Sequence, residues 1–584
     1  MDELTEEQIE FLNAEGKVVV KACPGSGKTY SVANKLLKYL DNWKCDHQGI
    51  AILSFTNVAS DEINKKTVSL NSNKVNIDYP HYIGTVDSFL NEYIVLRYGY
   101  LKTHDHLRPI IALSDNWKMP FKWWWSACYQ KGCVNSIDSF HMGLNNHFYK
   151  GKDAVTCEPR GQGLLLPCQQ YKNILHNNNV FFQNDVPLFA YELLKDFPSI
   201  ASAIVERFPI IIIDEAQDTS EEQMAVFDLL AEHGIRSMFL VGDSDQSIYE
   251  WRNANPECFI KKINSESWKC ISFNCNFRCS QNICNAAAFF SSSLKGEKAN
   301  VAVGYYKDEK QKPIILLFKN YEENKAINHY LTKCKSMGIA VNPESVAVLT
   351  RKRIHSNTNI VDLWKSKEIE LFAKAAYEWK FESRKKAYND MSKASFGIVV
   401  DKYTDDYHMD RILRDYIDEN KWKDFVIETL LCLPDVEIGI AEWIKQAVTI
   451  YADILNKYEL KTYDGRKLSD IFKIKKNDNN IPGFREIPLK FYFEKRICSE
   501  YTRSSIHGVK GETFDAVLLL VSSTKGKTLT PSFLANGSLE NELMRMAYVA
   551  MTRPRRLLMI AMPDNQKLKE SERFSRMFWD YEYI

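Results

Sequence analysis

Lys17-Val18-Val19-Val20-Lys21-Ala22-Cys23-Pro24-Gly25-Ser26-Gly27-Lys28-Thr29 is the stretch on which the fold turns. A short β-branched run leads into a glycine-rich turn, and a helix-like segment follows to about Trp43, so the order reads strand, loop, helix. Gly25 and Gly27 let the backbone take positive φ, so that successive N–H groups point inward at phosphate oxygens while the following helix adds its positive end. Lys28 is then placed to reach the β- and γ-phosphates and Thr29 to hold Mg²⁺. Ala22 stands where the general pattern has its first glycine, but the loop keeps the setting its chemistry needs.

The next informative run is Phe208-Pro209-Ile210-Ile211-Ile212-Ile213-Asp214-Glu215-Ala216-Gln217-Asp218. It is too short for a buried helix and uniformly apolar, which reads as a central parallel strand. Carboxylates at its C-terminal tip lie where α/β sheets bind ligands, so Asp214 can complete a Mg²⁺ shell and Glu215 can orient or deprotonate water. Such a site hydrolyses a nucleoside triphosphate. Ser220-Glu221-Glu222-Gln223 reads as a capping box that starts a helix, and Ser237 to Gly242 as a further strand.

Composition leaves this reading room. The chain has 584 residues, 45% of them apolar, with 76 Lys plus Arg against 75 Asp plus Glu for a net charge of +1. That length fits several globular units, and with no global positive field any nucleic-acid contact must come from local strips. The acidic Met1-Asp2-Glu3 start is unlike a signal peptide, and no apolar run reaches about 18 residues, so a cytoplasmic protein with no membrane segment is expected. The 14 cysteines form no dense framework and read as reduced thiols.

Val241-Gly242-Asp243-Ser244-Asp245-Gln246-Ser247-Ile248-Tyr249-Glu250-Trp251-Arg252 resembles motif III of the UvrD/Rep family of superfamily 1 DNA helicases. The family's other motifs stand in order around it: Gln8 in a Q motif, Ile52 to Asn57 (motif Ia), Gly84 to Phe89 (Ib), Asn276-Phe277-Arg278 (IV), Val346 to Arg351, Ile506 to Gly511 (V) and Tyr548 to Arg553 (VI). The resemblance implies ATP and Mg²⁺ as cofactors and a set of roles. Gln8 would read adenine, Phe277 would stack on it where the family usually has tyrosine, Gln246 would sense the γ-phosphate, and Arg278 and Arg553 would act as arginine fingers. Ala22, Cys23, Pro24, Gly25, Ser26 and Gly27 would cradle the phosphates with Lys28 and Thr29. Glu512, one place earlier than the family's motif V glutamate, is the candidate for the ribose. Phe55, Thr56, Asn57, Thr85, Tyr249, Trp251, Arg252 and His507 would meet DNA, the aromatic rings stacking on bases irrespective of sequence.

Strand and helix alternation predicts an α/β protein with two parallel-sheet P-loop NTPase (RecA-like) motor domains, each interrupted by a mainly helical insert. The expected divisions are motor domain 1A at 1–99 and 192–280, insert 1B at 100–191, motor domain 2A at 281–354 and 488–584, and insert 2B at 355–487. Trp123-Trp124-Trp125 in the first insert reads as core packing or a stacking platform. Cys128, Cys133, Cys157 and Cys168, with His141 and His147, lack paired metal-ligand spacing. The resemblance implies a 3′ to 5′ helicase or translocase on single-stranded and tailed duplex DNA. A compact chain of this kind also resembles the helicases that accompany OLD-family nucleases in anti-phage systems such as Gabija, which makes a nuclease subunit the alternative partner.

Overall fold

The computed structural model describes residues 4–71, 79–112, 137–151, 153–155, 166–318, 323–351, 364–381, 384–400, 413, 416–474, 486, 488–493, 501–521, 529–564 and 570–584. The Trp123-Trp125 run and Cys128, Cys133 and Cys157 lie outside them. The chain divides into two compact units, one of Met1–Ile354 with Tyr501–Ile584, the other of His355–Glu500.

The first unit is organised by two six-stranded sheets in which every pairing is parallel. Strands β1 (Gly16–Ala22), β2 (Ile50–Ser54), β3 (Tyr82–Thr85), β4 (Ile210–Ile213), β5 (Ser237–Gly242) and β6 (Lys269–Phe273) lie in the order β6-β1-β5-β4-β2-β3. Strands β7 (Ile314–Phe318), β8 (Val346–Thr350), β9 (Thr502–Ser505), β10 (Phe514–Leu520), β11 (Pro554–Pro563) and β12 (Asp580–Tyr583) form the second sheet, ordered β9-β8-β10-β11-β7-β12. Helices cover both faces of each, which is why β4 can be four isoleucines with no solvent exposure. In the first sheet the tips of β1, β5 and β4 stand side by side, so the phosphate loop, Asp243 and Asp214 come to one edge of the sheet.

Among its described residues the first insert, expected to be mainly helical, holds one complete α-helix, Pro167–Asn177, beside short 3-10 turns, the strand pair Ile110–Ala112 and Val180–Phe182 and the three-stranded ribbon Phe140–Met142, Phe148–Lys150 and Asp153–Ala154. Strands of two or three residues are too short to reveal a period of two in sequence. Val186–Asp196, which straddles the expected boundary at 191, is a continuous helix whose Phe189, Leu193 and Leu194 belong to the core of the first sheet.

Within this insert Lys172 and Asp185 form a buried ion pair at 2.7 Å, with His176 alongside Asp185 at 3.5 Å. Burial alone would raise the Asp185 carboxyl, but Lys172 and His176 hold it well below the usual carboxylate range. Such a depressed acid contributes stability above its unfolded value near 4 and loses it as pH falls toward the folded one. Asp185→Asn should therefore destabilise this region by about 3 kcal/mol at pH 7, because it strands the Lys172 charge. Calorimetric melts of wild type and variant should differ by a constant amount at neutral pH and converge only below about pH 4.

The second unit is helical in its described parts. Lys367–Phe381, Arg384–Val399, Glu419–Cys432 and Ile440–Lys457 surround a core containing Phe372, Phe425, Trp443 and Tyr451. Leu489, Tyr492 and Phe493 pack into that same core. The unit consequently ends at Glu500 rather than at 487.

Candidate nucleotide and nucleic-acid site

At the tip of β1 the chain turns through Cys23 to Gly27 before the helix Lys28–Leu40 begins. Gly25 and Gly27 have φ of +69° and +78°, the left-handed region in which glycine is unstrained. A Cβ at Gly25 would also sit 2.6 Å from the Cβ of Arg278, so no other residue fits this turn. Phe277 donates its N–H to the Gly25 carbonyl at 2.8 Å, which docks the motif IV segment directly on the phosphate loop. The Ser26 hydroxyl is buried without a hydrogen-bond partner among the described residues.

Gln8 is placed beneath this loop. Its carboxamide completes a capping box with Thr5 and donates to the Ser26 carbonyl at 3.1 Å. The residue expected to read adenine thus braces the loop from below and does not line the cavity.

The carboxylates come from β4. Asp214 accepts from the Glu215 N–H at 2.9 Å and lies 3.5 Å from the Thr29 hydroxyl, so Thr29 and Asp214 can share one cation. Glu215 adopts a left-handed φ of 54°, which turns it off the strand direction. Gln217 donates to Glu215 at 2.5 Å and accepts from the Asp243 N–H at 2.9 Å, tying the tips of β4 and β5 together. Burial raises Asp214, and the neighbouring Glu215 charge adds to this. Burial acts the same way on Glu215, but Lys28 and Lys510 overcome it and hold that carboxylate ionised.

Facing these groups from the second-sheet side are Arg278, Arg553 and Lys510. Arg553, buried to 1% exposure, donates to Gln246 Oε1 at 2.8 Å and to the Val549 carbonyl at 3.0 Å. Arg278 donates to the Thr552 carbonyl at 3.2 Å, and Lys510 pairs with buried Asp218. Burial and then Arg278 pull Arg553 down to about 9, yet a guanidinium stays protonated across the physiological range. With Lys28 these groups surround a cavity of about 270 Å³. Clustered cations, a glycine-containing loop at the start of a helix and a Thr–Asp pair fit a magnesium-bound triphosphate.

The strand-facing candidates continue outward from this cavity. Phe55 and Tyr249 rings lie 5.0 Å apart at 32°, and both also wall the cavity. Trp251 is 61% exposed, 6.4 Å from Tyr249, with the Arg252 guanidinium over its ring at 5.1 Å. His507 bonds the Ile248 carbonyl at 2.9 Å and lies 5.8 Å from the Tyr249 ring. Lys510 sits 4.7 Å over the Tyr249 ring while paired with Asp218, so one lysine joins an aromatic ring and a buried carboxylate.

Thr56 lines the cavity and also caps the helix Asn57–Leu70 by accepting from the Ala59 N–H at 3.2 Å, and Thr85 caps Val86–Phe89. The Asn57 side chain is outside the described residues. Phe277 and Glu512 are not cavity-lining, although the Glu512 carbonyl accepts from Arg553 at 3.5 Å. Contributors missed in sequence include Glu62 in the helix Asn57–Leu70, Asp218 and Lys510, which line the cavity, and Arg545, which holds the Ser247 carbonyl at 2.6 Å and pairs with Glu250. Asp218 and Lys510 lay inside quoted motifs, but nothing in their spacing announced that they meet.

Residues 4–267 match the UvrD/REP helicase N-terminal domain. The chain is 24% identical to the ATP-dependent DNA helicase Rep of Buchnera aphidicola subsp. Schizaphis graminum over 94% of its own length and 91% of the relative's. It is 24% identical to a probable DNA helicase of Mycoplasma pneumoniae over 61% of its length and 68% of that protein. It is also 29% identical to the Gabija protein GajB of Bacillus cereus over 48% of its length and 47% of GajB. No helix among the described residues is long and apolar enough to cross a membrane.

Proposed function

We propose that this chain, whose residues 4–267 match the UvrD/REP helicase N-terminal domain, is a UvrD-like ATP-driven motor that moves 3′ to 5′ along single-stranded DNA. The reading rests chiefly on one observation: Arg278 and Arg553, carried beside the second sheet, converge with Lys28 and Glu215 of the first on a single cavity. Lys28 would hold the terminal phosphates, and Thr29 and Asp214 the Mg²⁺, which when bound neutralises phosphate charge and orients the oxygens. Glu215, ionised beside two lysines, would align the attacking water and take its proton. Gln246 and the two arginines would gather the charge that develops on the departing phosphate.

Phe55, Tyr249 and Trp251 would grip successive bases. The bond from Arg553 to Gln246, three residues before Tyr249, gives a short path from nucleotide to strand. Trp251→Ala should weaken binding of a fluorescent oligothymidylate about tenfold while leaving ATP affinity within about twofold. A change confined to ATP affinity would remove Trp251 from the strand path.

The likeness to GajB favours a second reading, in which the chain serves as motor or DNA sensor in a defence assembly with a separate OLD-family nuclease and unwinds little by itself. Purified chain given 3′-tailed and 5′-tailed duplexes separates the two. Robust opening of the 3′-tailed substrate alone supports the autonomous motor, whereas ATPase without unwinding supports the assembly. Preference for the 5′ tail contradicts the proposed polarity.

A further inference from the structure

Asp245, the residue before Gln246, does not line the nucleotide cavity, yet its carboxylate is the most heavily bonded polar group in this part of the protein. Oδ1 accepts from the Ser292 N–H at 2.9 Å and the Ser292 hydroxyl at 2.6 Å. Oδ2 accepts from the Ser291 hydroxyl at 2.6 Å, the Ser293 hydroxyl at 2.5 Å and the Ser293 N–H at 3.3 Å. Asp245 is 2% exposed and Ser291 fully buried. A carboxylate so enclosed survives only when its lone pairs are satisfied, and three consecutive serines supply five donors.

The serines end a helical segment, Gln281–Ala287 continued by Ala288–Phe290, whose residues pack in the core of the second sheet. The beginning of the same segment is Asn276-Phe277-Arg278, with Phe277 bonded to Gly25 of the phosphate loop. Residues 276–293 therefore touch the first sheet's functional edge twice, at the phosphate loop and at the turn that carries Gln246. Asp245 also donates its N–H to Asp243 at 3.0 Å, and Asp243 accepts from Gln246 at 2.6 Å.

We propose that Asp245 and the Ser291–Ser293 cradle form a pin that makes the second sheet follow the γ-phosphate sensor, with Asp245 as a positioning residue for Gln246 and Arg553. This rests on the ATP-driven reading above. A displacement of the Ser244–Gln246 turn moves the serines through five hydrogen bonds, and the serines carry the helical segment that positions Arg278. Without the pin, Gln246 can still meet phosphate, but the arginine-closed state is less populated. Apparent ATP affinity then falls by that fraction, and strand contacts at Tyr249 and Trp251, on the same loop, lose their influence on turnover.

The test is a double-mutant cycle on the full chain with Asp245→Asn, Ser291→Ala/Ser293→Ala and their combination, measuring ATPase with and without single-stranded DNA. Both single-site arms should raise KM for ATP about tenfold and cut stimulation by DNA by a similar factor. The combination should be no worse than Asp245→Asn alone, because both arms remove the same contact. Ser293→Ala, a milder lesion, should shift KM in the same direction if Asp245→Asn folds poorly. Unchanged KM and DNA stimulation, multiplicative effects, or a loss of melting temperature with normal kinetics would each overturn the pin. A wild-type chain without DNA-stimulated ATPase would instead overturn the function on which it rests.

Discussion

Arg553→Ala is expected to lower DNA-stimulated ATP turnover about 10³- to 10⁵-fold, the range over which an arginine finger acts on phosphoryl transfer. The residue combines two jobs that alanine loses together. Its Nη2 positions Gln246, and its guanidinium stands beside Arg278 across the cavity from Lys28. Arg553→Lys should recover little, because one ammonium cannot reach Val549, Gln246 and a phosphate oxygen as a planar fork can. Folding should suffer less than turnover, since removing one of two neighbouring buried cations also removes their repulsion. Steady-state ATPase at saturating DNA, read beside binding of a fluorescent ATP analogue, checks this. Turnover within tenfold of wild type would leave Arg553 a structural residue.

Glu215→Gln should cost about 10²- to 10⁴-fold in turnover with ATP binding retained, the signature of a lost general base. Glutamine preserves the volume and can still meet Gln217, but it cannot take a proton. The environment sharpens the expectation: Lys28 and Lys510 keep Glu215 charged against the effect of burial. Its folded value is depressed, so the base stays ionised from neutral pH well into the acid range. An acid limb in the rate profile near pH 6 should therefore belong to another group. Asp218, which burial raises to about 6 despite Lys510, with the Glu215 charge adding to the rise, is one such group, so Asp218→Asn should remove that limb and Glu215→Gln should move it to lower pH. ATP hydrolysis by Glu215→Gln at the wild-type rate would require a different base.

What could be read in sequence and what could not divide along a physical line. The phosphate loop and the Asp214 strand were legible because their constraints are local. Positive φ demands glycine, and a strand buried on both faces demands an unbroken apolar run. The capping box at Ser220 and Gln223 is equally local and forms as the spacing implies. Contacts at the motif edges were not legible: Gln8, expected at adenine, donates to the Ser26 carbonyl, and Phe277 donates its backbone N–H to Gly25. Partnerships between distant residues were invisible for a different reason. Lys510 with Asp218 and Asp245 with Ser291 to Ser293 arise only once two sheets stand together, and a triple serine carries no period and no spacing rule. The expected division at 487 and the unit boundary at Glu500 differ by a stretch whose Leu489, Tyr492 and Phe493 are apolar residues that either core would accept in sequence.

The strands that bracket the second unit have a further consequence. Strand β8 ends at Thr350, the chain resumes in β9 at Thr502, and the two strands lie side by side in register. Because the pair is parallel, the excursion leaves at the C-terminal end of one strand and returns at the N-terminal end of its neighbour, beside Ala347, a vestibule whose two openings stand one short strand length apart. Over generations such a vestibule can be enlarged, shrunk or exchanged without disturbing the order of the sheet from which it departs. Lineages could thus refit this attachment for new tasks while inheriting the engine untouched.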